Sequence, residues 1–188
     1  MKRLYEKSPL LFALGSIGLY VVLFSLSDSI SATIGVEKII TAPIGFILCL
    51  AIIFFLAKSG LLKEFGLCKM EKADKNNLFY LPLILILLPN ICFGFNLSVS
   101  PLEALFGVVT MLLVGFLEEV IFRGFLFKAL CKNSLNSAVI ISSVTFGLGH
   151  IVNLLNGSEF FGTLLQICYA TAIGFLFTII FYKTKAFC

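Results

Sequence analysis

Two short strings carry the side chains able to do acid–base chemistry. FLEEVIFRGF holds Glu118, Glu119 and Arg123, and TFGLGHIVN holds His150, the single histidine of the chain. Both strings lie inside long apolar stretches. An ionisable group at the centre of a membrane helix costs about 2.5–3.5 kcal/mol on insertion scales, so such groups usually mark function. Glu119 and Arg123 are four residues apart, the spacing at which a carboxylate and a guanidinium pair on one helical face. Glu118 is turned about 100° from Glu119 and can face elsewhere. Two adjacent carboxylates in a low dielectric resist double ionisation. A carboxyl group kept in that state opposite an imidazole is suited to activating water and shuttling a proton.

The rest of the chain determines what medium this chemistry works in. Of 188 residues, 60% are hydrophobic and 13% charged, with mean hydropathy +1.08. A soluble domain carries about 45–50% apolar and about 25% charged residues. Too few polar side chains remain to cover a globule in water. That excludes a soluble enzyme, a disordered chain, a collagen-like repeat and a coiled coil, and leaves one all-α membrane domain over residues 1–188. Fourteen Lys and Arg against ten Asp and Glu give a net charge of +4. In a membrane protein this excess reports cytoplasmic loops facing anionic lipid headgroups, not nucleic-acid binding. The six cysteines (Cys49, Cys68, Cys92, Cys131, Cys168, Cys188) form no CxxC pair and read as buried free thiols.

Six apolar stretches meet the length of about 20 residues needed to cross hydrocarbon. They run Pro9–Ser27, Thr41–Ala57, Leu78–Phe95, Pro101–Leu130, Ser137–Leu155 and Phe160–Tyr182. Continuous apolar runs in lipid imply helices, because closed barrels need alternating strands. The first stretch follows MKRLYEK but is longer than a signal-peptide core and lacks a good cleavage site, so it reads as a retained helix. Placing both termini in the cytoplasm puts Lys2, Arg3, Lys7, the Lys58–Lys75 loop, Lys128, Lys132, Lys183 and Lys185 inside. Only Lys38 then lies outside, as the positive-inside rule asks. The loop from Lys58 to Asn77 mixes leucines and Phe65 with lysines and suits either an amphipathic surface segment or a solvated basic loop.

Folding the fourth and fifth stretches about the turn CKNSLN, centred near residue 134, sets Glu118 and His150 at equal distance from it. Each is sixteen residues away (134 − 118 and 150 − 134), roughly 24 Å at helical rise. The fourth helix, about 45 Å long by the same rise, exceeds the hydrocarbon layer of about 30 Å. Its lysine-bearing end should project into the cytosol, which puts the site nearer the inner half and within reach of a water-filled cavity. Gly147 and Gly149 allow a close approach beside His150, and Asn153 offers an amide one turn on. Taken singly, a pair such as Glu119–Arg123 is more often a structural ion pair, and a lone membrane histidine such as His150 is more often an interhelical hydrogen-bonding group. Glu118 at matching depth, with no structural partner evident, is what favours a site. Zinc asks for several His or Cys ligands, so no cofactor is expected; a metal held by Glu118 and His150 is the alternative.

Glu118-Glu119-x-x-x-Arg123 followed by Phe146-x-x-x-His150, on consecutive membrane helices, resembles the CPBP group of intramembrane proteases. These are the CAAX prenyl endopeptidases, bacteriocin-processing enzymes and their bacterial relatives, also called the Abi group. The likeness covers about residues 101–182. It implies a multi-pass protein of the bacterial cell membrane that hydrolyses a peptide bond near the cytoplasmic half of the bilayer, with a peptide or lipidated protein as substrate. By motif position Glu118 would be the general base, His150 would hold or polarise the water, and Glu119 and Arg123 would orient the site. The family's later HxxxN-like motif, associated with oxyanion stabilisation, has no match in this sequence. The resemblance therefore implies either a shortened chain or a degenerate relative, and a catalytically impaired bacteriocin immunity or regulatory protein is the alternative function. A proton-coupled transporter subunit would use the same acids as a relay, although no two-fold repeat is present.

Overall fold

The computed structural model describes residues 2–67 and 100–184, and among these the chain is helical with no strand. Five helices are long and apolar enough to cross a membrane: Pro9–Ile34, Thr41–Ser59, Pro101–Cys131, Leu135–Leu155 and Phe160–Thr184. They match five of the six expected stretches, and Leu78–Phe95 lies outside the described residues. We label the helical segments α1 (Lys2–Lys7), α2 (Pro9–Ile34), α3 (Thr41–Ser59), α4 (Pro101–Glu118), α5 (Lys128–Cys131), α6 (Leu135–Leu148), α7 (Val152–Leu155) and α8 (Phe160–Thr184).

Two of the expected helices are not uniform. The fourth changes from α to π geometry over Glu119–Phe127 before α5 resumes. The fifth tightens into a 3₁₀ turn at Gly149–Ile151, which carries His150, before α7. Such departures inside helices are frequent at functional sites. Every residue from Val120 to Phe127 is buried, whereas Leu105, Val108 and Leu112 of α4 are exposed. The π segment is therefore the centre of the bundle. It packs on α2 and α6, while α3 packs on α4.

Local signals explain the ends of these helices. Ser100 caps α4 in a reciprocal capping box with Glu103, and Pro101 occupies the first turn, where its missing N–H is not needed. Gly35 ends α2 at φ +81° and lets the chain reverse toward α3. Asp28 then ties the reversal down, pairing with Lys38 Nζ at 2.8 Å and accepting from Thr41 Oγ1 at 2.5 Å. At the other end of the bundle, residues 61–67 turn back. Phe65, only 1% exposed, wedges between Tyr5 and Phe125. Burial and the adjacent Glu64 carboxylate push the Tyr5 hydroxyl up to about 12, so it remains the donor to Glu64. This part of the expected basic loop is thus docked to the core.

Between apolar helices in lipid the driving force is close van der Waals contact at small residues. The pair α6 and α8 shows it. A Cβ built on Gly147 would lie 2.7 Å from the Ile167 carbonyl oxygen, and one on Gly174 would lie 3.3 Å from the Ser143 backbone. The expected close approach at Gly147 is therefore made by the backbone of α8. Gly149, by contrast, has room for a methyl group at ordinary contact with Phe122. Gly147→Val should destabilise the fold by about 1–3 kcal/mol, the usual range for overpacking. Gly107→Ala, inside a helix and with open space around it, should not destabilise the fold and should add up to about 1 kcal/mol. Unfolding of the purified protein in bicelles measures both.

Candidate active site

The adjacent carboxylates sit astride the junction between α4 and the π segment and face different ways. Glu119 turns to Arg123, with Oε1 3.1 Å from a guanidinium nitrogen. Four residues span slightly more than one α turn and slightly less than one π turn, so the pair expected from α spacing survives the change of helix type. Arg123 itself is 1% exposed. Its contact with Glu119 lacks hydrogen-bond alignment, and among the described residues its N–H groups find no acceptor. Aromatic faces solvate it instead: the guanidinium lies 4.4 Å from the ring centre of Phe146 and 5.4 Å from that of Phe177. Phe146 also meets the rings of Phe122 at 5.1 Å and His150 at 5.7 Å, both edge-on. It thereby joins the charge cluster to the histidine.

Glu118 faces a cavity of about 180 Å³ that it shares with His150, as the matched depths predicted. Tyr20, Asp28, Lys38, Thr110 and Asn153 also line it. The Tyr20 hydroxyl donates to Glu118 Oε1 at 3.2 Å. Glu118 therefore does have a structural partner, contrary to the sequence-based expectation. The buried Thr110 hydroxyl has no protein partner among the described residues, which leaves a polar atom in the wall for solvent or substrate. A second cavity, about 410 Å³, reaches both carboxylates from the exposed flank of α4, between Met111, Leu112, Gly115, Phe116 and Phe177. The first cavity mixes polar and apolar groups in its wall, the second is mostly apolar, and Glu118 lines both.

Two partners of the expected residues were absent from the sequence reading. Tyr20 is the one phenol in the first apolar stretch. Gln166, the single glutamine of the chain, brings its Nε2 to 3.3 Å from His150 Nδ1 and accepts from Asn153 at 2.8 Å. An unusual polar residue in an apolar helix was the available signal in each case. Catalytic zinc sites use three protein ligands, and no three His, Cys, Asp or Glu side chains cluster among the described residues.

The cavity extends toward Asp28, Lys38 and Asn156. The opposite end of the bundle carries Lys128, which lies over Phe65 and Phe181. Cytoplasmic termini were expected from the sequence, and with them Asp28 and Lys38, which line one end of this cavity, stand on the outer side.

Residues 100–188 match the family model described as Type II CAAX prenyl endopeptidase Rce1-like. The match spans Glu118, Glu119, Arg123 and His150 and is consistent with a protease of the CPBP family. Together with the five apolar helices it supports an integral membrane protein. No curated protein and no solved structure matches the chain.

Breaking the central ion pair from one side should be severe. Arg123→Met strands Glu119 and should destabilise by about 3–5 kcal/mol, whereas Arg123→Met with Glu119→Gln should recover most of that loss. Unfolding in bicelles of the single and double variants checks the difference.

Proposed function

We propose, from the match of residues 100–188 to the type II CAAX prenyl endopeptidases, that this chain is an intramembrane endopeptidase whose general base is Glu118. The observation that carries the reading is the cavity lined by both Glu118 and His150, with Tyr20, Thr110 and Asn153 as further polar groups in its wall. A water held there loses a proton to the Glu118 carboxylate as its oxygen bonds to the peptide carbonyl carbon. The carbonyl oxygen takes up negative charge, and His150 stands beside the cavity to stabilise it. Collapse of this intermediate breaks the C–N bond. The proton held by Glu118 passes to the leaving nitrogen, giving a carboxylic acid and an amine. Glu119 and Arg123 orient the site by holding the π segment against Phe146 and Phe177.

Two cavities meeting at Glu118 suit a substrate with two characters, a peptide in the polar space and a lipid chain or apolar side chains in the lateral one. That supports a peptide or lipidated protein as substrate. For orientation we favour cytoplasmic termini, because the lysine distribution is one-sided. The polar cavity then opens on the outer face, and the entry from the cytoplasmic half implied by family likeness gives way.

Turnover of a fluorogenic peptide by the full chain in proteoliposomes tests the chemistry. Glu118→Gln and His150→Ala should each lower kcat by about 10²–10⁴-fold, the range for general acid–base groups, with unaltered gel-filtration profiles. Equal turnover in all three proteins would overturn the assigned roles. Orientation is read separately in intact cells: with the native cysteines replaced, Lys38→Cys should react with an impermeant maleimide, and Lys63→Cys should not. The reverse pattern would place the termini outside.

A further inference from the structure

His150 is tied to the bundle by a chain of two amides. Asn153 Nδ2 donates to Gln166 Oε1 at 2.8 Å, and Gln166 Nε2 lies 3.3 Å from His150 Nδ1. These contacts have a direction. The Gln166 oxygen is turned to Asn153, so its NH₂ group faces the ring, and an NH₂ group can only donate. With the amide in this orientation Nδ1 accepts. A neutral imidazole whose Nδ1 accepts carries its proton on Nε2.

We infer that Gln166 is a positioning residue that holds His150 as the Nε2–H tautomer, so that the ring offers the cavity a hydrogen-bond donor and not a base. The fold builds this arrangement from two elements. The 3₁₀ turn at Gly149–Ile151 leads into α7, and Asn153 stands three residues beyond His150. The close crossing of α6 and α8 at Gly147 brings Ile167, and with it the neighbouring Gln166, against this turn. In lipid neither amide is inexpensive alone, and each satisfies the other.

The inference rests on the endopeptidase reading and divides its labour. With Nε2 protonated, His150 cannot take the proton of the attacking water, which leaves Glu118 as the acceptor. The same N–H is suited to the oxygen that becomes negative as water adds to the carbonyl. A ring nitrogen that carries its proton and another that accepts one from Gln166 also leave no lone pair for a cation.

The experiment exploits the single histidine. The full chain labelled with ¹⁵N-histidine in lipid nanodiscs gives one imidazole, whose two nitrogen resonances report which atom is protonated. The wild type should show a bare Nδ1 and a protonated Nε2 at neutral pH. Gln166→Leu should move the resonances toward the mixture of a free imidazole. Asn153→Asp replaces the donor by an acceptor, which should turn the Gln166 amide over and shift the proton to Nδ1, although residue 153 does not touch the ring. In turnover, Gln166→Leu should lower kcat by about 10–100-fold, as loss of an orienting partner does, with KM held. A protonated Nδ1 or an imidazolium in the wild type would overturn the inference. So would identical spectra in the wild type and Gln166→Leu; should that variant not fold, Asn153→Asp decides alone. The spectra need no activity, so an Nε2–H tautomer in a chain that cleaves nothing would refute the endopeptidase reading and leave this one standing.

Discussion

A guanidinium buried at the centre of a lipid-embedded bundle constrains everything around it. Such a charge is tolerated only with a counter-charge and a polarisable lining. Arg123 has Glu119 four residues before it, and takes Phe146 from α6 and Phe177 from α8 as its ring partners. Satisfying one side chain therefore sets three helical segments in register. Because Phe146 also abuts His150, the same interaction places the histidine. The ion pair alone would be modest evidence for anything, but its lining makes it the organising contact of the candidate site.

The π segment follows the same logic. It comprises the stretch that is buried on every side, and its carbonyl groups depart from the usual α ladder. The Ser142 hydroxyl of α6 donates to the Phe122 carbonyl at 3.0 Å, a hydrogen bond between helices that α geometry alone would not call for. At the mouth of this segment two carboxylates stand side by side. The junction of α and π geometry separates them: Glu119 goes to the cation, and Glu118 to the cavities. Tyr20 then holds Glu118 from a helix nearly a hundred residues earlier in the chain.

Much of this was legible in the sequence. The membrane setting followed from composition, five of the described spans from hydropathy, and the pairing of Glu119 with Arg123 from spacing. That Glu118 and His150 line one cavity agrees with their equal distance from a turn. These are short-range or one-dimensional properties, and arithmetic along the chain captures them. The π and 3₁₀ stretches were not legible, because helix type there depends on burial and on cross-helix partners. Nor were Tyr20 and Gln166 identified as partners, since each is an isolated polar residue whose neighbour lies on another helix.

By itself, the sequence determined that the chain lives in a membrane as helices, and that its ionisable groups gather on one helical pair. Both are consequences of what hydrocarbon will accept from each residue, counted position by position. Tertiary structure alone decided which atoms those groups meet: rings around Arg123, a phenol on Glu118 and an amide on His150. Such choices depend on how closely glycine-bearing helices cross, a property of surfaces in three dimensions that no spacing along one chain contains.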